Sequence, residues 1–165
     1  MADIDPILFI IIGTIIMIAI LVLFRVVINT ASRRWNKHKA GTVLKWESEG
    51  VRFVRGPVGG SFGGLESMGI NRVIRGIGFI ALTDQDLRVT RSIPEAVWCI
   101  NFKQIKGVTI QPAFLGKRGK TPFIVVRFVK DGAADKLAFQ VGAYQAWAGD
   151  LAQAAGVSVK VVNGP

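Results

Sequence analysis

The residues of this chain with chemical potential are few, and most have a local structural explanation. Asp84 and Asp86 are two carboxylates two positions apart, the spacing that invites an acid–base pair. They lie, however, in Thr83-Asp84-Gln85-Asp86, between Ile80/Leu82 and Leu87/Val89. Asp and Thr side chains bond the backbone of tight turns, so turn chemistry accounts for both without a reaction. Cys99 is the one cysteine and cannot form an intrachain disulfide; its strand-like context, Ala96-Val-Trp-Cys-Ile-Asn-Phe102, reads as packing. His38 has no cysteine or second histidine beside it, so a metal donor set is missing. Gly76-Ile-Gly78 is a fragment of a dinucleotide-binding pattern without the third glycine or the helix it requires. A P-loop, an HExxH and a Cys/His pair are all missing. The expectation is a non-catalytic protein with no cofactor.

Basic groups are the second source of chemistry. Lys117-Arg118-Gly-Lys120 reads as a hairpin tip able to meet phosphate oxygens, bidentately through arginine. Arg52 and Arg55, then Arg72 and Arg75, flank a glycine-rich stretch and form a second candidate lipid- or partner-binding group. Arg33, Arg34, Lys37 and Lys39 form a third, juxtamembrane cluster. Nucleic acid is disfavoured: there is no aromatic RNA-binding strand pattern, zinc spacing or helix-turn-helix signal. Anionic phospholipid headgroups or a membrane protein are the expected partners.

The elements that position these groups begin with an anchor. Ile7 to Phe24 is an uncharged run of 18 residues, extended by Val26, Val27 and Ile28. At ~1.5 Å per residue it covers roughly 27 Å, close to the hydrocarbon thickness of a bilayer. Asp3 and Asp5 precede it where a signal peptide would be basic, and no small-residue cleavage site follows. Every Lys and Arg lies from Arg25 onward, 21 against nine acids, a balance of +12 within a net charge of +10. The positive-inside rule therefore puts the N-terminus outside and the rest in the cytoplasm, at the inner (plasma) membrane. The expected organisation is a tail and anchor over 1–28, a basic linker over 29–41 that either continues the helix or frays, and one domain over 42–165. Within it, Thr42 to Arg55 reads as a first strand or strand pair, and 56–78 as a long glycine-rich loop. Residues 78–90 read as a hairpin, 96–102 as a strand, 112–121 as a loop and 123–130 as an alternating strand. The Asp131-Gly132 turn leads into Leu137, Phe139 and Val141. The period then becomes helical over Ala143 to Ala155, with Gly156 as its stop, and Val157 to Val162 is a candidate short strand. That order gives an α+β fold.

The Gly-x-Ile-Ala-Leu-Thr-Asp…Leu-Arg-Val-Thr hairpin of residues 78–90 resembles the bacterial pleckstrin-homology-like and GRAM-like domains. So do Ile100-Asn-Phe-Lys-Gln-Ile105-Lys-Gly-Val108 and the final hairpin running into Trp147 and Leu151. The resemblance covers about residues 42–156. It implies a strongly bent antiparallel sheet, a partial barrel, plugged by the C-terminal helix through Trp147 and Leu151. It also implies binding of lipid or protein through loops at the open end, with Arg52, Arg55, Arg72 and Arg75 near the family's basic cluster. The reading is a membrane-anchored scaffold or docking module. The alternative is an accessory subunit of a larger membrane complex, whose anchor packs through Gly13-Thr14 against other helices.

Overall fold

The computed structural model describes residues 6–69, 76–92 and 95–162. The chain divides into two units, Met1–Ser48 and Glu49–Pro165. The first is a helix, α1 (Pro6–Ser48). Pro6 suits a first helical position, where its missing N–H costs nothing. Ile12–Thr30 is long and apolar enough to cross a membrane, with a mean hydropathy of 2.5 over 19 residues. None of that window is buried, and its apolar side chains point outward on every side, Leu23 at 68% exposure and Ile15 at 61%.

α1 runs on through the expected linker and beyond it. Residues 42–48, expected to open the first strand, are instead its last two turns. Once a helix is nucleated, each further residue adds a hydrogen bond at little cost, so apolar Val43 and Leu44 simply continue it. The first break is Glu49-Gly50, where Gly50 has φ 73°.

Among the described residues, the second unit holds an eight-stranded sheet and a C-terminal helix. Its strands are β1 (Phe53–Leu65), β2 (Gly76–Thr83), β3 (Asp86–Ser92), β4 (Glu95–Asn101), β5 (Ile105–Phe114), β6 (Lys117–Lys130), β7 (Ala133–Gln140) and β8 (Val159–Val161). They are ordered β4-β3-β2-β1-β7-β6-β5-β8. Every pairing is antiparallel except β5 with β8. The sheet is not closed; β4 and β8 are its two edges. With α1 and the C-terminal helix α2 (Tyr144–Ala155), this is the α+β arrangement the sequence predicts.

β1 replaces most of the expected glycine-rich loop. It serves two partners: residues up to Phe62 pair with β2, and Ser61 to Leu65 pair with β7. Glycine is tolerated there because neighbours fill the space a side chain would need. A Cβ on Gly63 would come within 2.8 Å of the Phe123 ring. Register shifts at Phe53/Arg55, Arg55/Val58 and Phe62/Gly64 mark irregularities along β1, of the kind that bend a strand. The expected 112–121 loop is likewise mostly strand. β5 and β6 join through Leu115 and Gly116, both with positive φ, as type I′ hairpin turns require. Asp131 and Gly132 make the corresponding turn between β6 and β7.

The main core lies on one face of the sheet. Ile80, Leu82, Ile124, Val126, Leu137 and Phe139 pack there, closed by Trp147, Ala148 and Leu151 of α2. α2 ends at Gly156, whose left-handed conformation (φ 66°, ψ 31°) lets its N–H reach the Ala152 and Gln153 carbonyls. A second cluster covers the opposite face: Phe114, Phe123, Val125 and Ala138, with Leu115 against them. Residues 123–126 of β6 are therefore buried on both faces.

Candidate functional site

Asp86 of the β2–β3 turn is engaged locally. The Thr83 hydroxyl accepts from the Gln85 and Asp86 backbone N–H groups at 3.1 and 2.9 Å, and donates to Asp86 Oδ1 at 2.7 Å. Asp86 also accepts from Arg88 Nε at 3.1 Å. Arg88 Nη1 reaches Glu49, the first residue after α1, at 2.9 Å. Desolvation works against the Arg88 charge, but hydrogen bonds to Glu49 and Asp86 outweigh it, and its pKa is raised. This arrangement ties the start of the second unit to the hairpin.

Cys99 is an exposed residue of edge strand β4. Partial desolvation of its sulfur pushes the thiol pKa up, against a smaller lowering by the Arg88 charge. A raised thiol pKa leaves less thiolate, the form that attacks electrophiles or binds metal. No group of three or more metal-competent side chains occurs among the described residues.

The basic candidates sit in different surroundings. Arg52 is exposed, and its carbonyl accepts from the Asp84 N–H of the β2–β3 turn at 3.1 Å. Arg55 is half-buried beneath α2, ion-paired with Asp150 and 5.2 Å from the Trp147 ring centroid. Lys117, Arg118 and Lys120 lie on the first residues of β6, with Arg118 and Lys120 exposed. Lys120 borders a cleft of about 410 Å³ with Gly59, Gly60 and Gln140. Arg72 and Arg75 lie outside the described residues, as do the side chains of Arg33, Arg34 and His38; Lys37 is exposed and Lys39 half-buried on α1. One further arginine is structural: Arg91 is buried beside Phe62 and Trp98, its guanidinium 5.6 and 5.5 Å from their centroids, while the two rings stack 4.2 Å apart.

One cleft was not anticipated. It measures about 570 Å³ and lies on the outer face of β7-β6-β5-β8. Two cross-strand rows build it. Gly107, Arg127 and Lys136 are successive Cα partners across β5, β6 and β7. Lys160, Thr109, Val125 and Ala138 form the neighbouring row, starting on β8. A register shift between Ile105 and Gly107 leaves Lys106 without a partner on β6, and its carbonyl accepts from Arg127 Nη2 at 3.2 Å. Lys136 Nζ bonds Glu66 at 2.8 Å. The signal for this site was hairpin arithmetic: a turn at Asp131-Gly132 pairs Lys130 with Ala133, and hence Arg127 with Lys136. No protein-family model and no curated protein sequence matches this chain.

Proposed function

We propose that this protein is a non-catalytic, membrane-anchored docking module. Its anchor is the apolar part of α1, with the N-terminus outside and the second unit at the cytoplasmic face of the plasma membrane. The second unit is read as a pleckstrin-homology-like domain that meets anionic lipid, or a protein, through Arg52 and the Lys117, Arg118 and Lys120 group. One observation carries the reading: Ile12–Thr30 exposes apolar side chains all round and buries none of them. Such a surface calls for an apolar surround, and the basic residues that follow it favour the cytoplasmic side. The family reading is supported by the two meanders β1–β4 and β5–β7, joined through β1 and β7, and by α2 plugging the core through Trp147 and Leu151. Arg55 is less suited to a ligand, because Asp150 and Trp147 already engage it.

The test uses residues 49–165, which contain every strand partner and both hydrophobic clusters. Sedimentation with phosphatidylglycerol vesicles at low salt, lost at high salt and absent with phosphatidylcholine alone, is the expected result. Each basic group held near an anionic surface contributes ~1 kcal/mol. Arg118→Glu with Lys120→Glu removes two such groups, ~2 kcal/mol, and should reduce recruitment by at least about thirtyfold. If the fragment ignores anionic vesicles at low salt, lipid docking fails. The remaining reading is an accessory subunit, visible as a large, defined assembly on sizing after mild detergent extraction.

A further inference from the structure

We infer that the cleft on the outer face of β7-β6-β5-β8 is a binding site for a phosphate group attached to an apolar moiety. The lining brings four cations, Lys106, Arg127, Lys136 and Lys160, against one carboxylate, Glu66, a local balance of +3. That carboxylate is already committed to Lys136. Arg127 and Lys136 are direct cross-strand partners, and like charges placed so are destabilising. The sheet keeps this repulsion at its outer face; an anion bridging the row would relieve it. Arginine suits a phosphate because its planar fork meets two oxygens at once, and lysine adds a point charge.

The backbone supports the same reading. The irregularity at Lys106 supplies the carbonyl that holds Arg127 Nη2, so one end of the guanidinium is fixed across Gly107. A Cβ at residue 107 would lie 3.5 Å from Arg127 Nη2, ordinary contact, so the side chain rests directly over the glycine. Bulges recur beside sites where a side chain must be re-aimed. On the other side of the cleft, Phe114, Leu115 and Val125 supply an apolar wall beside the cations. A charged rim beside an apolar wall fits an anionic amphiphile better than a bare ion, and about 570 Å³ falls in the range of small-ligand sites. The site shares no residue with Arg52, Lys117, Arg118 or Lys120, so it stands or falls independently of membrane docking.

The test uses the full chain in non-ionic detergent micelles, with two probes: inorganic pyrophosphate and dihexanoyl phosphatidic acid. Backbone amide shifts of Gly107, Thr109, Arg127 and Lys160 should move saturably with at least one probe. Phosphatidic acid binding at least about tenfold tighter than pyrophosphate would identify a lipid headgroup as the source, because the apolar wall then adds to affinity. Comparable binding of both would show that the apolar wall adds nothing and would overturn the assignment of an apolar moiety. Arg127→Gln combined with Lys160→Gln should weaken binding by about tenfold or more with a melting temperature no lower than that of the parent chain, whereas Arg118→Gln with Lys120→Gln should change binding less than about twofold. Failure of both probes to shift these amides overturns the inference. So does retained affinity in the Arg127/Lys160 variant, which would locate binding elsewhere. Vesicle recruitment of residues 49–165 without pyrophosphate or phosphatidic acid binding here would leave the docking module standing and remove only this site.

Discussion

At the scale of residues, individual atoms decide what the sheet tolerates. Gly78 on β2 lies so close to β3 that an added Cβ would fall 1.7 Å from the Thr90 carbonyl oxygen. Backbone cannot move aside as a side chain can, so Gly78→Ala should cost at least about 3 kcal/mol in urea unfolding of residues 49–165. Cys99 makes a prediction in pH. Its raised pKa means that, between the ordinary thiol value and the raised one, the folded chain keeps a proton the unfolded chain has released. Stability should therefore fall as pH rises through that window, and alkylation by iodoacetamide at pH 8 should be slower than for a free thiol. Arg88→Gln removes a charge that lowers the thiol pKa and should slow alkylation further. None of this was visible in the sequence, because Arg88 and Cys99 become neighbours only through the β3–β4 register. The same holds for Arg55, whose partners Trp147 and Asp150 lie on a helix at the far end of the chain. By contrast, the turn role of Asp86 was readable, since its partners Thr83 and Arg88 are close in sequence.

Elements differ in how far their own residues determine them. The β2–β3 hairpin and α2 were legible because period, turn residues and the Gly156 stop are local. β1 and the start of β6 were not. Their glycines and lysines carry no periodic signal, and β1 is held by β2 and β7, which lie later in the chain. The end of α1 was misread for the opposite reason: Val43 and Leu44 look strand-like in isolation, but a long helix was already propagating. α2 also offers an element-level prediction. Ala143 precedes it in the left-handed region (φ 51°, ψ 40°) with no side-chain cap. Asparagine tolerates that conformation better than alanine, and Ala143 is exposed. Ala143→Asn should raise the stability of residues 49–165 by about 0.5–1 kcal/mol, read as a higher urea midpoint at constant slope. Trp147→Ala should do the reverse, losing about 3–5 kcal/mol, because it empties the plug of a nearly fully buried indole.

For the whole molecule, the sequence conveyed the class of fold and the division between an apolar helix and a basic domain. It did not convey where surface charge gathers, because cross-strand rows depend on register. If the anchor reading is right, the full chain should remain with membranes after alkaline extraction while residues 49–165 stay in the supernatant. Release of the full chain by alkali would contradict it.

The burial of β6 on both faces has a consequence in time. Ile124, Val125 and Val126 are flanked by β5 and β7, with a hydrophobic cluster above and below. Local fraying cannot expose their amides; only loss of the whole sheet can. Their hydrogen–deuterium exchange should thus run at the rate set by global unfolding, orders of magnitude slower than at Val159–Val161 on the edge. Those three amides would serve as an internal clock, reporting how often the entire domain opens under native conditions, without denaturant.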